Sequence, residues 1–376
     1  MILDMMIKNG TVINPATGIN GRYDVGIADG KIAALVPGGQ DGSTFTARET
    51  LDASGLLVTP GLIDIHVHVF QAGAQLGIDA DTVGVRQGVT TVVDAGSAGV
   101  DNFAQFVSQI VERKETEVLA WLNIARQGLA EGLAELSDPG NLAPAETGAL
   151  IRQNPLIRGI KVRMSSSVVG QSGIQPLLIA KEAAREAQVP LFVHVGNAPP
   201  ALGDILDLLE EEDVVTHAFH GKPGGIMDPQ GELIPQAARA LERGVRFDVG
   251  HGTASFSFQT MIKARRLKIA PYSISTDIYE KNFSGPVHSL TMTMSKFLAL
   301  GFSLEQIIEA VTWAPAQILG LQQRLGSLAL GRAADISILR LEEETVVFVD
   351  AENDRLPGKQ VFRALYTIKA GRVVRL

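Results

Sequence analysis

No cysteine occurs among the 376 residues. Disulfides and thiolate metal ligands are thereby excluded, so any metal must be held by imidazole and carboxylate. An apolar run long enough to span a bilayer is also missing. The opening Met1-Ile2-Leu3-Asp4-Met5-Met6-Ile7-Lys8 has neither the basic start nor the long apolar core of a secretion signal, and the chain reads as a soluble protein of the cytoplasm. A basic excess is lacking too. Lys and Arg number 33 against 41 Asp and Glu, a net charge of −8, which argues against nucleic acid because phosphate binding needs a basic surface. There is no low-complexity segment and no short-period repeat.

What is present suits one large globular unit and a smaller one: 45% hydrophobic and 20% charged residues, with 39 glycines for tight turns. Both ends read as short strands and turns. Asp29-Gly30 between apolar strands is a hairpin signal. Ala334–Leu339, Thr345–Phe348 and Ala364–Ile368 return to the same style, with a turn at Ala370-Gly371. Neither end has strands enough to stand alone, so the two are expected to pair into one small β-sandwich, from residues 1–58 and 323–376.

Between them, over residues 59–322, strands alternate with amphipathic helices. Strands are expected to end at His68, Asp94, Asn123, Arg163, His194, His217, His251 and Asp277. Apolar stripes at helical spacing include Phe103, Phe106, Val107, Ile110 and Val111, and Leu202, Ile205, Leu206 and Leu209. A third, Val287, Leu290, Met294 and Phe297, is expected to start with Pro286 at the first helical position. Eight strand–helix units imply an α/β fold, a (β/α)8 TIM-type barrel with its active site at the strands' C-terminal ends.

Gly61-Leu62-Ile63-Asp64-Ile65-His66-Val67-His68 is the informative stretch. Alternation along a strand puts His66 and His68 on one face, a poor core element and a good half of a metal site. Taken alone, His-x-His also fits two core histidines satisfied by neighbours. Further ligand types on later strands distinguish the two: Lys161, His194, His217 and Asp277 each close an apolar strand. A lysine inside a barrel is costly unless paired or neutralised. Carboxylation by CO₂ would make it an anion able to bridge two cations, whereas the simpler alternative is a buried salt bridge to Asp277.

Leu57-Val58-Thr59-Pro60-Gly61-Leu62-Ile63-Asp64-Ile65-His66-Val67-His68 resembles the signature of the amidohydrolase superfamily. Leu328–Asp335 resembles its re-entry into the β domain. Gly159–Ser165, Thr216–Pro223 and Phe247–Gly252 are most similar to the deacetylase-type members, close to dihydroorotases and associated with acetylated D-amino acids and acetylated 2-hydroxy acids. The resemblance implies a hydrolase with two divalent metal ions, Zn²⁺ being suited to these donors. His66, His68 and Asp277 would bind the more buried ion, His194 and His217 the more exposed one. N6-carboxylated Lys161 and a hydroxide would bridge them, with Asp277 as general acid/base.

Other polar residues are candidates for a small carboxylate substrate: Arg163, by bidentate pairing, with His220, His251 and Tyr279. Arg163 also fits a structural ion pair, and His251 a core or ligand-supporting role. His288 is read as a surface or capping residue. Dihydroorotases follow their His-x-His closely with an arginine for the ring carboxylate, whereas here Val69 and Phe70 follow His68. That departure weighs against the alternative of a cyclic amidase of dihydroorotase or hydantoinase type. A non-catalytic barrel scaffold would be expected to have lost ligands. A homo-oligomer is the default for such barrels.

Overall fold

The structure, a computed structural model, describes residues 2–38 and 45–375. Strands from the two ends of the chain share one sheet. The N-terminal contributors are β1 (Ile2–Asn14), β2 (Ile19–Ala28), β3 (Lys31–Pro37), β4 (Thr46–Asp52) and β5 (Leu57–Pro60). A second series, β6 (Leu62–Val67), β7 (Val89–Ala95), β8 (Glu117–Asn123), β9 (Ile157–Met164), β10 (Leu191–Val195), β11 (Val214–Thr216) and β12 (Arg246–Phe247), follows in the middle of the chain. The chain ends with β13 (Ile336–Val349), β14 (Arg355–Lys369) and β15 (Arg372–Arg375).

The outer series forms a mixed sheet in the order β15-β14-β13-β5-β1-β2-β3, with β4 also on β1. Asp29-Gly30 and Ala370-Gly371 make the expected tight turns. Hydrogen bonds join all eight strands into one continuous sheet. One apolar cluster, including Ile7, Val25, Ile27, Val58, Ile336 and Ile368, unites both ends.

The middle series is parallel, β6 through β12 in unbroken sequence order. Its strands are buried nearly throughout, and helices cover it, with Phe103, Phe106, Leu202, Ile205, Met294 and Phe297 in the shared core, as expected of a parallel sheet clad on its outer side. Residues 273–278 run between the two edges of this series. Val249 N donates to Ser273 O (3.1 Å) and His251 N to Ser275 O (3.1 Å), while Asp277 N donates to His66 O (2.7 Å) and His68 N to Ile278 O (3.0 Å). Isolated parallel bridges, Asp248 to Ser273 and Val67 to Ile278, mark the same two seams.

One expected boundary moves. The helix containing Met294 and Phe297 spans Leu290–Ala299, not from Pro286, because the Ser289 side chain accepts from Met292 N and caps it there.

A single residue, Gly61, separates β5 from β6, so the mixed sheet launches the His-x-His strand directly. A methyl group on Gly61 would lie 2.2 Å from Thr90 Oγ1, which only glycine avoids. Ser337 of β13 secures the junction, accepting from Leu62 N (3.0 Å) and donating to Gly88 O (2.5 Å). Ser337→Ala would leave both backbone groups buried without that partner, and should lower stability by about 1–3 kcal/mol. Urea unfolding checks this; a midpoint equal to wild type would show the bridge to be dispensable.

Candidate metal centre and active site

Six ionisable side chains expected from the sequence converge at the C-terminal ends of the parallel strands. His66, His217 and Asp277 each offer one donor atom within 4.8 Å of the others. His66 Nε2 and His68 Nε2 both lie 3.2 Å from Asp277 Oδ1, and His217 Nε2 lies 3.8 Å from Oδ2. His194 Nδ1 approaches His217 Nε2 at 2.9 Å, and Lys161 Nζ lies 3.2 Å from His66 Nε2. Phe192 floors the group: its ring is 4.6 Å from Lys161 Nζ and stacks on Trp121 at 4.7 Å.

The tautomers follow from the partners of the outward-facing ring nitrogens. His217 Nδ1 contacts Gly250 O at 2.6 Å, and a carbonyl only accepts. His66 Nδ1 contacts Thr216 Oγ1 at 2.8 Å, and that hydroxyl gives its one proton to Asp248 Oδ2 at 2.7 Å. Both rings therefore carry their proton on Nδ1 and turn a bare Nε2 inward. Burial, with the Lys161 charge second, holds His66 well below its ordinary basicity. Burial lowers His217 to about 3. The Asp277 carboxyl stays well below the usual carboxylate range, although its burial pushes the other way.

The result is a carboxylate oxygen 3.2 Å from an imidazole nitrogen with no proton between them. Lone pairs so placed repel unless a cation lies among them, and these N and O donors suit a divalent ion such as Zn²⁺. His68 Nδ1 lies 2.9 Å from Ser97 Oγ, a hydroxyl able to donate or accept there, and this contact orients the ring. Outer partners of this kind orient metal-binding histidines.

Lys161 is fully buried, and burial lowers its amine to about 7. Among the described residues no carboxylate lies within salt-bridge distance of it, so the alternative of a buried ion pair to Asp277 is not what the structure has. Close backbone approach makes room for the group. A methyl on Gly96 would lie 2.7 Å from Lys161 Cγ, and one on Gly252 2.5 Å from Asp277 Oδ2. His217 and Asp277 themselves have positive φ, +65° and +50°. Such strained backbone at the tops of strands persists only where surroundings enforce it.

The four substrate candidates fare differently. Arg163 Nη1 is taken by Glu135, at 3.1 and 2.9 Å from its two oxygens, and Glu135 is only 2% exposed. Tyr279 edges onto His68, ring centroids 6.5 Å apart, and shares a 2.7 Å hydrogen bond with Thr253. His220 turns back on its own loop, where Nδ1 accepts from Lys222 N at 3.1 Å. His251 is fully buried, bonded to Gly252 O through Nδ1 (2.9 Å) and to Lys296 Nζ through Nε2 (2.7 Å). It thus faces the helix Leu290–Ala299 and not the six converging groups.

Asp248, Thr216, Ser97, Glu135 and Lys296 were not singled out from the sequence. Asp248 accepts from Thr216, Ser273 and Ser275 hydroxyls, and burial lifts it to about 6. Its signal was a lone acidic residue near the end of an apolar strand, opposite the Ser-x-Ser-Thr run.

Burial lowers the Lys296 amine from 10.5 to about 7. Between those values the unfolded chain holds a proton that the folded chain has lost, so stability rises with pH across that window. Relative to Lys296→Met, the wild type should gain up to a few kcal/mol between pH 7 and 10. Parallel urea-unfolding curves for the two proteins across that range would refute it.

The match to known proteins is extensive. Residues 289–375 match the amidohydrolase family model. A protein named deacetylase from Enterococcus faecalis is 39% identical over 378 aligned residues, covering 99% of each chain. Another, from Agrobacterium fabrum, is 35% identical over 90% of this chain and 83% of its own length. A crystal structure titled adenine deaminase superposes with a TM-score of 0.93 at 37% identity over 100% of both chains. One titled dihydroorotase gives 0.90 at 32% over 99% of both. The chain therefore belongs to the amidohydrolase family of metal-dependent hydrolases, with the deacetylase-like members.

Proposed function

We propose that this enzyme hydrolyses the acyl amide or ester bond of a small carboxylate, in the manner of an N-acetyl-D-amino acid or acetylated 2-hydroxy acid deacetylase. The observation behind this reading is the set of neutral imidazoles around the ionised Asp277, joined by an amine that burial has made nucleophilic. Family members generally use a binuclear metal centre. Here His66, His68 and Asp277 would hold one ion, and His194 and His217 the other.

Lys161, as its carbamate, would bind both. The ions would be Zn²⁺ by donor type. When bound, such a pair supplies Lewis acidity toward the acyl carbonyl and brings the pKa of the attacking water to about 7. Asp277, 15% exposed, would serve as the proton acceptor for the attacking water and as the donor to the leaving nitrogen or oxygen. Thr216 and Ser97 keep His66 and His68 turned inward, while Phe192 and Trp121 keep solvent out from beneath. Tyr279 and Thr253 stand at the mouth.

The fold reading that accompanies this is a closed (β/α)8 barrel, in which residues 273–278 act as the eighth strand. Residues 59–322 would form the barrel unit, and residues 1–58 with 323–376 the β unit.

The second reading is a cyclic amidase, favoured by the dihydroorotase of Citrifermentans bemidjiense, 27% identical over 99% of both chains, and by the dihydroorotase-titled structure. A turnover screen separates the two. Release of acetate from N-acetyl-D-amino acids or acetylated 2-hydroxy acids, with dihydroorotate and hydantoins untouched, supports deacylation; ring opening alone overturns it.

Asp277→Asn keeps an oxygen donor but loses the proton acceptor. It should retain most of its metal while kcat falls by about 10²–10⁴, and near-wild-type turnover would remove Asp277 as the base. Lys161→Ala should reduce metal content, with partial recovery in added acetate. Unchanged metal and activity would count against the carbamate.

A further inference from the structure

Lys296 is a buried amine that the chemistry of the centre does not use. It lies on the helix Leu290–Ala299 and is 1% exposed. Among the described residues no carboxylate comes within salt-bridge distance of it. Burying such a group is costly unless its N–H bonds find acceptors. Lys296 Nζ donates to Pro286 O (2.7 Å) and lies 2.7 Å from His251 Nε2. On the far side of the ring, His251 Nδ1 lies 2.9 Å from Gly252 O. A carbonyl only accepts, so the ring carries its proton on Nδ1, and Nε2 accepts from the lysine.

The contacts continue to the centre. Gly252 N donates to Thr276 O (2.9 Å), the residue before Asp277. A methyl on Gly252 would lie 2.5 Å from Asp277 Oδ2, so the backbone of this turn is the surface on which that oxygen rests. The two oxygens of Asp277 differ. Oδ1 is 3.2 Å from Nε2 of both His66 and His68. Oδ2 is 3.8 Å from His217 Nε2 and has no hydrogen bond among the described residues. It is the oxygen left open to a proton, and Gly252 borders it.

Lys296 is anchored in turn by the outer sheet. Its neighbour Ser295 accepts from Phe362 N of β14 at 2.9 Å. Phe256 packs on the rings of both His251 and Phe297, with centroids 5.0 and 5.4 Å away.

We propose that Lys296 is a positioning residue: through His251 it holds the Gly252 turn against Asp277 and so aims Oδ2 at the proton taken up in hydrolysis. This rests on the reading of Asp277 as the proton acceptor. The experiment is a double-mutant cycle on the zinc-loaded full chain, with an N-acetyl-D-amino acid as substrate, or dihydroorotate if only rings are opened. Lys296→Met should lower kcat by about 10- to 100-fold and change KM by less than about twofold, because alignment is lost and binding is not. In an Asp277→Asn background the same substitution should cost almost nothing, since the group it aims is already gone. In the cobalt(II)-substituted protein the visible absorption, which follows ligand geometry, should differ between Lys296→Met and wild type.

A pair of variants at His251 carries the test where Lys296→Met does not fold. His251→Asn keeps a donor for Gly252 O, whereas His251→Leu suits the surrounding phenylalanines but has none. Asn should therefore retain most of the kcat that Leu loses, the reverse of the order that packing alone gives. Equal losses from Lys296→Met with and without Asp277, an unmoved cobalt spectrum, or a Leu variant faster than the Asn variant overturns the proposal. Near-wild-type turnover by Asp277→Asn alone is a separate result: it removes Asp277 as the base, and the proposal with it.

Discussion

Everything at this site depends on one unfavourable contact: the bare Nε2 of His66 facing an ionised carboxylate oxygen at 3.2 Å. The rings' own protons cannot relieve it, because those of His66 and His217 are committed on the other side of each ring. Thr216 in turn is committed to Asp248, so the His66 tautomer is fixed two bonds away from the centre. A polypeptide holds such a cluster of lone pairs only if something positive completes it, and the donor set selects a hard or borderline divalent ion.

Holding that cluster open against repulsion falls to the backbone. Gly61 lets β6 start against β7 without a clash, and Gly96 lets the chain pass beside the Lys161 stem. Gly250 and Gly252 bring the end of the seventh strand against His217 and Asp277, where a methyl on Gly250 would lie 2.8 Å from His217 Nδ1. The buried Asp64 adds a tie between β6 and residues 273–278: its carboxylate accepts from Thr276 Oγ1 (2.5 Å) and from the amides of Thr276 (3.1 Å) and His66 (3.2 Å). The segment bearing Asp277 is so pinned to the strand bearing His66, and their separation is a property of the framework.

The sequence made some of this legible and not the rest. Alternation along an apolar strand predicts that His66 and His68 share a face, and the Asp29-Gly30 and Ala370-Gly371 turns were visible for the same local reason. The convergence of six groups needed only that each end a separate strand. Arg163 lies on the ligand side of β9 by the same alternation, yet its partner Glu135 comes from a loop 28 residues earlier, and nothing in the local pattern marks that pairing. For His251, read either as a substrate contact or as a core residue, strand alternation stops at Gly250, where φ turns positive, and the ring meets Lys296. Pro286 marked a helix start that Ser289 supplies, since a side-chain acceptor for Met292 N outweighs a favourable φ.

Relatives of similar identity bear the names deacetylase, adenine deaminase and dihydroorotase. Metal ligands of one kind can serve all such hydrolyses, so the centre itself does not choose among them. The choice has to be made by charge around it, because adenine has no carboxylate while dihydroorotate and acylated amino acids do. A buried pair such as Arg163–Glu135 has no net charge to offer, and separating it would cost about 3–5 kcal/mol.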